Sequence, residues 1–295
     1  MGALTFGFIL FIFNKLYSWF YNKPLNSYVG KRVIVTGASS GIGAQLALQY
    51  IQMKCKVAIV ARRLEQLESV KQDILKKCPE VPEENILILR ADLTVESDCR
   101  TMVDSVVSAW GGIDICVWNA GVGSLIEFEK LNGNFQVFRD NMNINFFSTV
   151  YCTSFALPFL RQSHGSLVVV SSLAGKFGTP LRTSYSASKH ALHGFLNSLR
   201  NEVSDIQVTV VCPGFVQTEF HTKLATTDGK PIERESHSFM TAEECAEKIV
   251  QSERLGEREV LLGLKAKVGN YLMPFIPGVI DYMSRKASRD SIKKK

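Results

Sequence analysis

The chain has 295 residues, 46% hydrophobic and 21% charged, with a formal net charge of +6. That composition excludes a disordered or collagen-like chain and suffices for one large α/β domain or two small ones. Much of the positive charge sits in the terminal "SRKASRDSIKKK", and no Lys/Arg stripe interleaved with aromatics crosses the body, so no nucleic-acid partner is expected. The basic tail suits an anionic membrane surface or a solvated terminus equally.

The chain opens on "MGALTFGFILFIFNKLYSWFYNKP". The run Ala3 to Phe13 is shorter than the roughly 20 apolar residues a span needs, but it reaches that length through Phe20 with Lys15 snorkelling toward a headgroup. A secretory signal would want a basic start and a small-residue cleavage site, and neither is present. Residues 1–27 read as a membrane anchor, spanning or lying in the interface; the alternative is a helix docked on the protein's own surface. Lys15, Lys23, Lys31 and Arg32 follow the apolar run and no basic residue precedes it, which places the main domain on the cytoplasmic side.

The body then alternates. "KRVIVTGASSGIGAQLALQYI" is a strand, a Gly-rich turn and a helix; "KVAIV" is a strand and "LEQLESVKQDILKK" an amphipathic helix. "NILILRADL" and "IDICVWNAG" are strands flanking the helix "SDCRTMVDSVVSAWGG", and one long helix is predicted from about Phe135 to Leu160. "GSLVVVSS" is the fifth strand, a helix starts near Thr183, "IQVTVVCPG" is the sixth strand, "TAEECAEKIVQSE" a helix and "REVLLG" a short last strand. Strands that are apolar on both faces and alternate with helices define an α/β fold with a doubly wound parallel sheet, a Rossmann fold of about seven strands. No linker divides it, so a single domain is expected over residues 28–264. The aperiodic polar stretch 215–240 reads as a substrate loop and 265–295 as an amphipathic, basic tail. Within that tail, Pro274 and Pro277 exclude a regular spanning helix.

Seven scattered cysteines without a C-x-x-C pair argue against a disulfide framework or zinc site, and no His/Asp/Glu cluster suggests a metal. The chemistry lies elsewhere. Gly37, Gly41 and Gly43 sit between a strand and a helix, where glycine lets backbone approach a pyrophosphate and the helix N-terminus offers free N–H groups. At the end of the second strand, where an acid would accept from a ribose hydroxyl, the chain has Ala61, Arg62 and Arg63. An arginine fork suits a 2′-phosphate and favours NADP(H) over NAD(H). Tyr185 and Lys189 stand four apart on one helix face, where a cation stabilises phenolate.

With these motifs in order, the chain resembles the classical short-chain dehydrogenase/reductase family, from Gly30 to about Gly263. The matching residues are the three glycines, Asp92 after the third strand, "NAG" at Asn119, Ala120 and Gly121, then Asn145, Ser172, "YSASK" at Tyr185–Lys189, and Pro213–Gly214 followed by Thr218. The wording around Ser172 and Tyr185, with the apolar start, is most similar to the membrane-bound hydroxysteroid 11-beta-dehydrogenase branch and its relatives called SDR family member 7. Trp118 departs from the family's doubled asparagine.

The resemblance implies Tyr185 as general acid/base, Ser172 holding the substrate oxygen, Lys189 and Asn145 in support, and cofactor contacts from Gly37, Ser39, Ser40, Gly41, Ile42, Gly43, Arg62, Arg63, Asp92, Leu93, Asn119, Ala120, Gly121, Tyr185, Lys189, Pro213, Gly214 and Thr218. Ser171 is the neighbour that Ser172 must be told from, and His190 and His193 are packing or surface residues. It also implies hydride transfer between NADP(H) and a ketone or aldehyde, or the matching alcohol, of a lipophilic substrate such as a steroid or retinoid. A homodimer and an endoplasmic reticulum membrane complete the expectation. The alternatives are a long-chain lipid ketone reductase, of 3-ketosphinganine or 3-ketoacyl type, and a non-catalytic NADP(H) sensor or scaffold.

Overall fold

Short runs rich in Val and Ile alternate with amphipathic segments, and the chain folds accordingly. The computed structural model describes residues 27–226 and 239–292. Its first half runs β1 (Arg32–Thr36), α1 (Gly41–Gln52), β2 (Lys56–Ala61), α2 (Leu64–Lys77), β3 (Ile86–Arg90), α3 (Glu96–Trp110), β4 (Ile115–Trp118), a short β5 (Ser124–Leu125), α4 (Gln136–Met142) and α5 (Ser148–Ser163). The second half runs β6 (Ser166–Val170), α6 (Thr183–Glu202), β7 (Gln207–Cys212), short β8 (Val216–Gln217), β9 (Ala225–Thr226) and β10 (Met240–Thr241), then α7 (Ala242–Arg254), β11 (Glu259–Leu261), α8 (Leu264–Leu272) and α9 (Pro277–Ile292).

Seven strands form one sheet in the order β11-β7-β6-β4-β1-β2-β3, and every neighbouring pair is parallel. Successive residues of a strand face opposite sides, so Val33 and Val35 join one core with Leu46, Ile51 and Ile249. Ile34 joins the other with Val103, Leu160 and Leu196. Helices α1 and α7 thus cover one face and α3, α5 and α6 the other, as a doubly wound sheet requires. The chain order reverses between β1 and β4. In such sheets the crevice beyond the carboxyl ends of those strands is where ligands bind.

Local chemistry fixes the ends. Thr241 and Glu244 form a reciprocal capping box at the start of α7. Asp114, at the entry to β4, accepts from Lys31 Nζ at 3.0 Å and Arg32 Nε at 2.6 Å, tying β1 to β4. Tyr28 is buried and its hydroxyl donates to the Glu253 carboxylate, which makes it the first described residue of the core.

Three features differ from the sequence expectation. The long helix over Phe135 to Leu160 is α4 and α5 joined through a π-helical turn, Asn143–Phe147. The stretch 215–240 is not wholly structureless: β8 pairs with β10 and β9 with β5. The tail after 264 forms two helices, and Pro277 occupies the first position of the second, where a missing N–H costs nothing. Among the described residues no helix is long and apolar enough to cross a membrane. The segment read as an anchor, up to residue 26, lies outside the described residues.

Candidate active site

At the carboxyl end of β1 the chain turns through Gly37, at φ +65°, and Gly41, at φ +57°, before α1 begins. A Cβ on Gly37 would stand 2.9 Å from the Ala120 Cα, and one on Gly43 would stand 2.3 Å from the Gly37 carbonyl oxygen. Glycine here lets α1 seat directly against the strand ends. Ser40 is the N-cap of α1, yet its side chain makes no capping bond, and no acidic residue lies in the first turn. The N-terminus therefore presents open N–H donors.

What approaches that N-terminus is an oxyanion: the Glu219 carboxylate is held below its ordinary range first by Lys223, and also by Arg63 and the Ser40 hydroxyl. Arg62 and Arg63 are both exposed at the end of β2, and Arg63 Nη2 donates to Ser39 Oγ at 2.9 Å. Ile42 packs against the core beneath the turn. Thr218 lies over Gly41, its Cγ2 3.0 Å from where a Cβ would be.

The far wall comes from β3 and β4. Asp92 Oδ1 accepts from the Thr94 N–H at 3.0 Å and hydroxyl at 2.8 Å, and Leu93 is buried in the core behind it. Asn119 bridges β4 to β1: its Nδ2 donates to the Thr36 carbonyl at 3.0 Å. Thr36 Oγ1 accepts from the N–H groups of Asn119 and Ala120 at 3.0 and 3.2 Å. Trp118, the departure from the family pattern, spends its indole N–H on Thr153 Oγ1 at 3.0 Å and is buried in the sheet's core.

Ser172, Tyr185, Lys189 and Asn145 converge beside this crevice. Ser172 caps the 3₁₀ turn Leu173–Gly175, accepting from the Ala174 N–H at 3.2 Å. The Leu173 N–H donates to the Pro213 carbonyl at 3.0 Å and Leu173 packs against Gly214, so the Pro213–Gly214 turn abuts the serine. Lys189 Nζ donates to the Val170 carbonyl at 3.1 Å and lies 5.9 Å from the Tyr185 ring centroid. Asn145, in the π turn, has its amide fully engaged: Oδ1 accepts from the Val122 N–H at 2.9 Å, and Nδ2 reaches the Val122 carbonyl and Ser188 Oγ, each at 2.9 Å. A Cβ on Gly121 would sit 3.0 Å from Asn145 Oδ1, a tight contact, and 3.6 Å from Lys189 Nζ, so this glycine lies between the two groups.

The two neighbouring serines separate cleanly. Ser171 Oγ pairs with His193 Nε2 at 3.1 Å, away from the phenol, and His193 Nδ1 meets Glu259 Oε2 at 3.1 Å. Glu259 also pairs with Lys176 at 2.9 Å. Burial alone would raise the Glu259 carboxyl, but His193 and Lys176 outweigh it and hold it at about 2. His193 is therefore a buried brace, whereas His190 is exposed and bonds the Ser186 carbonyl.

Electrostatically, burial pushes the Lys189 ammonium down to about 8. Burial also holds the Tyr185 phenol above its ordinary range, opposed by the Ser172 hydroxyl and by the Arg182 guanidinium. Lys189 Nζ and the Arg182 guanidinium carbon lie 5.9 and 5.7 Å from the Tyr185 ring centroid, so a second cation, Arg182, faces the phenol beside the one read from the sequence. Arg182 was missed because its signal is only spacing, one turn before Tyr185. Among the described residues no group of three His, Cys, Asp or Glu is placed to hold a metal ion.

The family of short chain dehydrogenases matches residues 31–229. A Dictyostelium discoideum protein named dehydrogenase/reductase SDR family protein 7-like is 54% identical over 294 residues, covering 100% of this chain and 92% of that one. An 11-beta-hydroxysteroid dehydrogenase of Pinus massoniana is 34% identical, over 87% of this chain and 73% of that one. A Caenorhabditis elegans short-chain dehydrogenase/reductase of unknown function, solved with cofactor, superposes with a TM-score of 0.69 at 26% identity, over 81% of this chain and 98% of that one. This chain belongs to the short-chain dehydrogenase/reductase family of oxidoreductases.

Proposed function

We propose that the protein is an NADP(H)-dependent carbonyl reductase of lipophilic substrates. The observation that carries this is the convergence of Ser172, Tyr185 and Lys189 on the crevice that the glycine turn and the two arginines adjoin. NADPH supplies a hydride for the carbonyl carbon. Ser172 donates a hydrogen bond to the substrate oxygen and sets its position. Tyr185 Oη gives its proton to that oxygen as the C=O bond becomes C–O–H, and Lys189 recharges the phenol. Asn145 keeps the Val122 backbone and Ser188 in place around the lysine. Arg62 and Arg63 bind the 2′-phosphate, with Asp92 toward the adenine.

The lipophilic reading is supported by what surrounds the phenol. The Phe220 ring centroid lies 5.9 Å from that of Tyr185, and Phe220 and Leu224 close on Gly123. Helices α8 and α9 rest on the loop after Ser172, through Phe177 against Gly269 and Ser284 Oγ to the Gly178 carbonyl at 2.8 Å. They leave Leu264 at 78% and Phe275 at 80% exposure, an apolar surface beside the substrate edge. With residues 1–27 as anchor, the enzyme works at a membrane, for which we propose the cytoplasmic side of the endoplasmic reticulum, as a homodimer.

The test follows NADPH absorbance against steroid, retinoid and long-chain keto-lipid carbonyls, with NADH in parallel. Turnover with NADPH of one group is the expected result. NADPH binding without oxidation across the panel would replace the enzyme with a sensor. Dependence on acyl chain length would move the substrate to the long-chain keto lipids.

A further inference from the structure

Arg182 is 6% exposed, and its guanidinium carbon lies 5.7 Å from the Tyr185 ring centroid. Its Nη2 is buried without a hydrogen-bond partner, and among the described residues no carboxylate pairs with it. Other cations drawn out of water are answered: Arg32 and Lys31 by Asp114, Lys176 by Glu259, Lys189 by the Val170 carbonyl. A buried cation lacking a counter-charge is among the most costly arrangements a fold can hold, and a fork of N–H groups is shaped for an oxyanion.

The backbone places it deliberately. Leu181, just before it, sits at φ +65°, a conformation a branched side chain rarely adopts. That residue's carbonyl accepts from the Ile126 N–H at 2.8 Å, and Ser184 Oγ meets Ser124 Oγ at 2.7 Å. The segment after β4 thus clamps the start of α6 so that Arg182 and Tyr185 stand side by side on the substrate edge of the sheet.

We infer that Arg182 is an anion subsite within the substrate pocket. It takes a carboxylate or phosphate that the substrate carries a short spacer from the carbonyl that Tyr185 protonates. The preferred substrates are then amphiphiles, with an apolar body along Phe220 and a charged group at Arg182, in place of wholly neutral ketones. This rests on the carbonyl reductase reading.

The experiment uses the full chain with NADPH and two matched pairs: a long-chain γ-oxo acid with its methyl ester, and a long-chain ketone phosphate monoester with its dimethyl triester. The expected result is an anionic preference in kcat/KM of about 10- to 100-fold in at least one pair, the size of a charge-assisted hydrogen-bonding contact. The pair that shows it tells carboxylate from phosphate. Arg182→Met brings the preference to within about twofold, and Arg182→Lys restores part of it. Equal turnover within both pairs by the wild-type enzyme overturns the inference while leaving the reductase reading intact, and it decides the matter even if Arg182→Met does not fold. An unchanged preference in a folded Arg182→Met protein overturns it too. Failure to oxidise NADPH with any carbonyl overturns both readings.

Discussion

Replacing Gly43 by alanine sets two well-measured effects against each other. Alanine in a helix is favoured over glycine by about 1 kcal/mol. Here, however, the new Cβ would lie 2.3 Å from the Gly37 carbonyl oxygen and 2.7 Å from Asn119 Nδ2. Ordinary contact begins at about 3.4 Å, so α1 must withdraw by about an ångström from the end of β1, and overpacking of this kind costs about 1–3 kcal/mol or more. The strand-end neighbours cannot yield cheaply, because Asn119 is itself bonded to the Thr36 carbonyl. A displacement this large falls in the upper part of that range, about 2–3 kcal/mol, so the clash wins by about 1–2 kcal/mol, or about 2–8 °C in Tm for a domain of this size. Gly278, in the first turn of α9, has nothing within 4 Å of its Cβ position, so Gly278→Ala should leave Tm unchanged or slightly raised. Calorimetry gives the stabilities, and NADPH fluorescence should show binding to Gly43→Ala at least about tenfold weaker, since the phosphate-facing N–H groups move with the helix. A Gly43→Ala protein that melts with the wild type and binds NADPH equally well would refute the close seating of α1 as the basis of the nucleotide turn.

Tyr185→Phe should retain NADPH binding and lose turnover by about 10²- to 10⁴-fold, measured by single-turnover absorbance; substantial residual activity would remove the phenol from proton transfer. Arg62→Ala combined with Arg63→Ala should cut the NADPH-over-NADH preference in kcat/KM by about 10- to 100-fold, with NADH kinetics little altered. The Glu259 carboxyl titrates at about 2 in the fold against 4.5 as an ordinary carboxyl, so the unfolded chain binds more protons between these values. Its contribution is fully present above about 4.5 and fades as the pH falls toward 2. Urea midpoints of Glu259→Gln should therefore show a shallower loss across that window than the wild type, and parallel curves would contradict the His193–Glu259–Lys176 brace.

The architecture was legible because each of its causes is local. Val33–Val35 and Val168–Val170 read as strand centres buried on both faces, and the glycines at 37, 41 and 43 mark a turn where α1 closes on the strand ends. Ser172, Tyr185 and Lys189, the proposed catalytic set, were singled out from the family's spacing, and the fold stands Lys189 beside Tyr185. The π turn was not legible, since no residue type among Asn143–Phe147 demands it. Ser172 was preferred to Ser171 on the family's spacing, but the partners that engage Ser171 were not legible, since His193 and Glu259 arrive from α6 and β11. Arg182 stayed hidden for a similar reason: burial, and the want of a partner, are properties of the assembled edge, not of an arginine beside a threonine.

The π turn has a consequence of its own. Upstream of it α4 lies against α6, and downstream α5 lies against α3. A single uninterrupted helix would have to satisfy both neighbours in one angular phase. The extra residue resets that phase, and Asn145 stands where the reset occurs. Deleting any one residue of Asn143–Phe147 would turn everything on one side of the break by about 100°, given 3.6 residues per turn. The rod would then lose either its neighbour on the same face of the sheet or the amide beside the lysine, so the length of this segment is as constrained as the identity of the asparagine it carries.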